Sequence, residues 1–159
     1  MITTINKFLK LRDECKQDCR KVVFTNGCFD ILHYGHLDYL TRAKKLGDVL
    51  IVAVNTDSSI RKFKGTDRPV VNEKERASLV DGLKPVDYVI LFSEETPQKI
   101  IEKIQPDVLV KGADYKITEI VGADIVRSYN GIVKRIKLVP GISTSDIIRK
   151  IRNSKNLTC

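Results

Sequence analysis

Two histidines, His33 and His36, close a glycine-containing stretch, Phe24-Thr-Asn-Gly-Cys-Phe-Asp-Ile-Leu-His-Tyr-Gly-His36. The apolar run Lys21-Val-Val-Phe24 stops at this stretch, and beyond it Leu37, Leu40 and Ala43 recur at helical spacing until Gly47. The order is strand, loop, helix. At a helix start the first backbone N–H groups lack partners and the helix dipole adds partial positive charge, so histidines there favour an anion, phosphate first. A second stretch, Gly141-Ile-Ser-Thr-Ser145, enters the last helix, where Ser143 can cap and Asp146 can return the bond.

No Ser-His-Asp ordering accompanies these stretches, but basic side chains do: Lys62, Lys64, Arg68, Arg76 and Lys111. Donors without a nucleophile suit phosphoryl or nucleotidyl transfer, in which positioning and charge neutralisation do most of the catalysis. The substrate would bring its own nucleophile. Neutral imidazole still donates one hydrogen bond, so His33 and His36 need not be cationic to hold phosphate oxygens. Neither G-x-x-x-x-G-K-[ST] nor G-x-G-x-x-G is present, which weakens kinase-type and dinucleotide readings. A zinc site of the H-E-x-x-H kind needs one helical turn between ligands and a glutamate that is missing here, and Cys15 and Cys19 lack companion ligands, so no protein-held metal is expected.

The elements that must position these groups alternate along the chain. A lead-in helix over 3–18 has Thr3 or Thr4 as its cap; Val49-Leu-Ile-Val-Ala-Val54 is a continuous apolar strand, with Asn55-Thr-Asp57 at its C-terminal end. A basic loop, Arg61 to Arg68, precedes a helix capped by Asn72 with Glu75 in support. Further strands are expected over 87–92, 108–110 and 132–138. Further helices are expected after the Thr96 cap, with Pro97 at the first helical position, and over 118–129 with Asn130-Gly131 as stop. Ile147, Ile148 and Ile151 give the last helix an apolar face. Five strands alternating with helices imply an α/β fold: a single Rossmann-like domain, a five-stranded parallel sheet with helices on both faces. Ligands collect at the C-terminal ends of such strands. Thr25 to His36, Asn55 to Lys64, Lys111 to Tyr115 and Gly141 to Ser145 all fall on that rim.

The 159 residues, 42% of them hydrophobic, are expected to form one domain, with 1–20 as lead-in and 21–152 as the core. A net charge of +8 suits a phosphate-rich ligand, a nucleic acid or an acidic membrane surface. Basic residues are scattered from Lys7 to Lys155 and aromatics are only 6%, which disfavours a nucleic-acid platform; a basic nucleic-acid-binding domain stays as the non-enzyme alternative. Without a signal-peptide core or an apolar run of ~20 residues, the reading is cytoplasmic, with no membrane partner. In that compartment Cys15, Cys19, Cys28 and Cys159 read as free thiols.

The run Thr25 to His36 resembles the H-x-G-H signature of the cytidylyltransferase-like nucleotidyltransferases, and Gly141 to Ser145 resembles their second signature. Within that superfamily, Leu46 to Asp57, Lys64-Gly with Arg68-Pro-Val70, Glu95-Thr-Pro97, Pro106 to Tyr115 and Ser143 to Ile151 resemble the heptose 1-phosphate adenylyltransferase family over residues 20–152. The resemblance implies transfer of AMP from ATP to D-glycero-D-manno-heptose 1-phosphate, with Mg²⁺ accompanying ATP and a homodimer as the assembly. It implies that His33, His36 and Lys64 are catalytic. Nucleotide contacts would come from Asn26, Gly27, Cys28, Phe29, Gly35, Asn55, Asp57, Arg76, Gly141, Ser143, Thr144 and Ser145. By elimination the sugar phosphate falls to Asp30, Lys111, Gly112, Asp114 and Tyr115. Where related cytidylyltransferases carry Arg-Thr-Glu-Gly before the second signature, this chain has Leu138-Val-Pro-Gly141, which leans away from CTP; a CTP-dependent enzyme for glycerol or ethanolamine phosphate is the alternative. A sugar kinase is expected as a separate protein.

Overall fold

The computed structural model describes residues 1–154; Cys159, read above as a free thiol, lies outside them. Five parallel strands, β1 (Val22–Gly27), β2 (Val49–Asn55), β3 (Tyr88–Phe92), β4 (Val108–Gly112) and β5 (Ile132–Ile136), form one sheet in the order β3-β2-β1-β4-β5. The chain winds outward from β1 to β3, then crosses back to lay β4 and β5 on the other side of β1. The switch in direction therefore lies between β1 and β4, where open α/β sheets bind ligands.

Alternation on the strands builds two cores. Phe24, Ile51, Ala53 and Leu109 point to one face, under α1 (Ile5–Gln17), α5 (Gln98–Ile104) and α6 (Ala123–Ser128). Val23, Leu50, Val52, Val54 and Val110 point to the other, under α2 (Tyr34–Lys44) and α4 (Glu73–Asp81). Burial on both faces is why every residue of β2 is buried and why its sequence reads as an unbroken apolar run. Strand starts are tied by aspartates placed just before the neighbouring strand: Asp48, Asp87 and Asp107 accept the backbone N–H groups of Lys21, Leu50 and Val22 at 2.8, 2.6 and 2.7 Å. Among the described residues no helix is long and apolar enough to cross a membrane.

Three local expectations need correction. The stretch Arg61 to Arg68 is not all loop, because Asp57–Lys64 forms α3, nucleated where Thr56 Oγ1 accepts the Ser59 N–H and anchored by the single buried apolar side chain Ile60. Region 118–129 splits into a 3₁₀ turn, Ile117–Glu119, and α6, with Asn130 in the left-handed conformation that stops it. Thr96 does not cap α5; Pro97 occupies the cap position, and its carbonyl accepts the Ile101 N–H. The last helix, α7 (Thr144–Asn153), carries the expected apolar face but buries none of its residues, and Ile151 is 56% exposed.

Arg12 shows how the lead-in helix is fastened. It is 5% exposed and donates to the Ile104 and Gln105 carbonyls that end α5, at 3.2 and 2.8 Å, and to Asp107 Oδ1 at 3.0 Å. These carbonyls have no further helical N–H to accept, so the guanidinium acts as their cap. Arg12→Met is expected to destabilise the protein by about 2–3 kcal/mol, read as a lower urea midpoint with an unchanged slope.

Candidate active site

The site grows from the C-terminal end of β1. Phe29 adopts a left-handed backbone (φ 46°), a conformation costing roughly 1–2 kcal/mol for a residue with a Cβ. The turn buries the Phe29 ring, which lies against Gly27, where a Cβ would come within 3.0 Å of it, and tilts onto His36 with centroids 5.3 Å apart. Two buried ionic groups hold this turn. Asp30, 2% exposed, accepts the Val70 and Val71 N–H groups at 2.8 and 3.0 Å and Arg68 Nε at 2.6 Å. Arg76, wholly buried on α4, donates to the carbonyls of Val71 (2.8 Å), Cys28 (2.5 Å) and Asn55 (2.8 Å) and to Asp57 Oδ1 (2.7 Å).

His33 is the cap residue of α2, in extended conformation, and its carbonyl accepts the His36 N–H at 2.9 Å. The two imidazoles stack with centroids 3.9 Å apart at 26°. Gly35 makes this possible: a Cβ there would lie 3.0 Å from His33 Nδ1 and 3.4 Å from Ile142 Cγ2, so the glycine admits both the folded-back ring and the C-terminal loop. The Nδ1 atoms of both histidines are buried without a hydrogen-bond partner among the described residues. Burial lowers the His33 pKa; for His36, burial first, then the neighbouring His33 and Lys64, push it down to about 4. Both rings are therefore neutral near pH 7, each with one N–H to donate.

Around the pair, Lys111 at the end of β4 donates to the carbonyl and side-chain oxygens of Asn26 at 3.0 and 2.8 Å and lies 5.4 Å from the Tyr115 ring centroid. Its burial brings the pKa down to about 8. The Cys28 thiol is pushed up by burial, which outweighs the pull of Lys64, so it stays protonated and is a poor nucleophile. At the N-terminus of α7, Ser143 Oγ accepts the Asp146 N–H at 3.1 Å and donates to Asp146 Oδ2 at 2.7 Å, while Thr144 Oγ1 donates to the Ile31 carbonyl at 3.3 Å. The return bond from Asp146 thus goes to the serine hydroxyl, and the threonine binds the two signature stretches together.

One cavity of about 740 Å³ brings these groups into a common space. It is lined by His33, His36 and Lys64, by Asn26, Gly27, Cys28, Phe29, Gly35, Asn55, Ser143, Thr144 and Ser145, and by Asp30, Lys111, Gly112, Asp114 and Tyr115. Asp57, Arg76 and Gly141 do not line it. Arg76 and Asp57 pair beneath the rim as its scaffold, and both Asp30 oxygens are committed to the turn. Sequence patterns assign no role to Tyr39, whose hydroxyl meets Thr25 Oγ1 at 2.7 Å in the floor, or to Phe63 on α3, and name no site contact for Glu95, Thr96 and Pro97 after β3, all of which line the cavity with Lys62. Glu95, Thr96 and Pro97 do carry a signal: they follow a strand's C-terminal end on the same rim.

The family model for cytidylyltransferase-like proteins matches residues 24–150. The bifunctional protein HldE of Campylobacter concisus is 54% identical over 137 residues, which is 86% of this chain and 28% of that protein. HldE of Helicobacter pylori is 48% identical over 147 residues, 92% of this chain and 31% of that protein. The chain thus spans less than a third of the length of these curated relatives. The crystal structure of the lipopolysaccharide core biosynthesis protein from Thermoplasma volcanium matches with a TM-score of 0.61 at 35% identity, covering 76% of this chain and 97% of that one.

The depressed His36 pKa makes stability depend on pH. Below the ordinary histidine value of 6.5 the unfolded chain takes up a proton at His36 that the folded protein refuses until about pH 4. Stability should therefore fall as pH drops from 6.5 toward 4. In ligand-free protein the His36 imidazole resonances should stay at their neutral positions at pH 5.5; a midpoint near 6.5 would refute the buried, neutral pair.

Proposed function

The chain belongs to the cytidylyltransferase-like family, and on that premise we propose that it is an adenylyltransferase that transfers AMP from ATP to D-glycero-D-manno-heptose 1-phosphate, giving ADP-heptose and pyrophosphate for the lipopolysaccharide core. The observation that carries this reading is the stacked, neutral pair His33 and His36, with unpartnered buried nitrogens, in a cavity it shares with Lys64 and the N-terminus of α7. The name of the Thermoplasma relative supports the assignment to lipopolysaccharide core synthesis.

The reaction needs little acid–base help. An oxygen of the sugar phosphate attacks the α-phosphorus of ATP, the bond from that phosphorus to the β-phosphate oxygen breaks, and pyrophosphate leaves with the electron pair. A phosphate monoester has its second pKa near ~6, so the nucleophile arrives deprotonated at neutral pH and no base must take a proton from it. His33 and His36 then act as hydrogen-bond donors to the charge that builds on the phosphate oxygens, and Lys64 adds a cation. The first N–H groups of α7 offer a second anion-binding wall. Among the described residues no three His, Cys, Asp or Glu side chains converge, and the groups around the histidines are mainly donors, so Mg²⁺ would enter with ATP, held by phosphate oxygens and water. Bound there, it would neutralise part of the triphosphate charge.

Pyrophosphate release with ATP and heptose 1-phosphate tests the proposal directly. Turnover with CTP and glycerol or ethanolamine phosphate, without turnover of the first pair, would sink it. His36→Ala should leave the fold intact and lower kcat by ~100-fold or more; unchanged kcat in a folded variant would remove the histidine from its role. Lys111 is charged below its pKa of about 8 and neutral above it. Its loss of charge should bring kcat/KM down above that pH, a limb absent from Lys111→Arg, whose guanidinium stays charged.

A further inference from the structure

The helix α7 is held at its N-terminus and little beyond it. Ser143 caps it and Thr144 Oγ1 reaches the Ile31 carbonyl, but among the described residues none of Ile147, Ile148 and Ile151 packs on either core. Ile147 and Ile148 are half-buried, and everything from Arg149 to Asn153 is exposed. A helix of ten residues is marginal in water by itself. An apolar stripe left this open marks a surface that something else covers.

The charges beside the stripe say what that is. At 3.6 residues per turn the three isoleucines cover about 100° of the circumference, with Lys150 on one border and Arg152 on the other. The bias extends beyond the helix. Over residues 132–153, Lys134, Arg135, Lys137, Arg149, Lys150 and Arg152 are all exposed and stand against a single acid, Asp146, which is already paired with Arg149. More than half of the net charge of +8 lies in this stretch. A second copy of the chain fits poorly, because two stripes laid together bring basic borders against basic borders with no acid to answer them. Nucleic acid would answer the charge but has no use for an aliphatic stripe. A bilayer with anionic headgroups meets both demands: isoleucines enter the acyl boundary, and the flanking lysine and arginine reach back to the headgroups.

We propose that α7 binds the surface of an anionic lipid bilayer, lying in the headgroup plane with Ile147, Ile148 and Ile151 turned toward the acyl chains. The sequence expectation of no membrane partner rests on the lack of a spanning run, which a helix lying on a bilayer does not need. Ten residues reach only ~15 Å, so the contact is reversible and draws on charge as much as on apolar area. It is separate from the proposed AMP transfer, because Ile147 to Arg152 do not line the cavity.

Vesicle binding by the whole protein tests this without any turnover. The protein should cosediment at low salt with phosphatidylcholine vesicles carrying about one-third phosphatidylglycerol, fail to cosediment with pure phosphatidylcholine, and be released toward 1 M salt, where the Debye length is ~3 Å. Ile151→Asp should raise the lipid concentration for half-binding by about tenfold or more, as should Lys150→Glu combined with Arg152→Glu. Lys7→Glu with Lys10→Glu on α1, an equal change of net charge, should leave it within about twofold. The chain has no tryptophan, so the emission of Ile151→Trp reports one position and should shift to the blue on the anionic vesicles. Thermal melts at the wild-type midpoint show that each variant is folded. No binding to anionic vesicles would overturn the proposal. Binding that Ile151→Asp leaves unchanged would overturn it too, since that is adsorption by charge alone. A concentration-dependent dimer that Ile151→Asp dissociates, without vesicle binding, would give the stripe to a second copy and equally overturn it.

Discussion

Everything at the rim depends on the Arg76 guanidinium. It is wholly buried, yet every hydrogen bond it makes ends on the machinery above it: the Cys28 carbonyl of the first loop, the Asn55 carbonyl at the end of β2, the Val71 carbonyl leading into α4, and the Asp57 carboxylate at the start of α3. A buried charge of this kind is tolerated only when each donor is met, and breaking such a pair costs about 3–5 kcal/mol. The consequence is geometric. The left-handed turn at Phe29 cannot relax without stripping a carbonyl from Arg76, and that turn sets the angle from which the chain reaches His33.

The same rigidity explains the electrostatics of the histidine pair. Stacked rings 3.9 Å apart could not both be cationic, and the Lys64 charge makes protonation of His36 harder still. In the proposed transfer, a neutral pair leaves the cation's work to Lys64 and Lys111 and keeps imidazole as a directional donor. Preorganisation of this sort is effective because the donors do not have to reorient as charge develops on phosphate. Lys111 is held in the same way, pinned by both oxygens of Asn26 on the strand beside it.

Much of this architecture is legible in the amino-acid sequence. The unbroken run of β2, the strand-loop-helix order around His33 and His36, and the cap at Ser143 are local patterns with one physical reading each, and the fold follows from their alternation. What escapes such a reading depends on partners distant in sequence. Arg76 looks like any basic helix residue within reach of phosphate, because nothing near it announces Asp57 nineteen positions earlier or the carbonyl of Cys28. Lys62 and Phe63 read as part of a basic loop because α3 has a single fully buried apolar side chain, Ile60, too few to leave a periodic signature. Ile147, Ile148 and Ile151 do form a stripe, but periodicity reports a face and not whether a neighbour covers it.

Two parts of the rim are held in different ways in this protein. The histidine loop is locked by buried ion pairs, Arg76 with Asp57 and Arg68 with Asp30, so small changes there propagate into the histidine geometry. After β3 the exposed side chains of Glu95 and Thr96 make no hydrogen bond among the described residues, whereas Pro97 is buried at the start of α5. Substituting Glu95 or Thr96 would cost the fold little, whereas substituting Asp30 would unfasten the histidine loop. A scaffold arranged this way holds the histidine loop rigid while the rim after β3 is free to vary in its side chains.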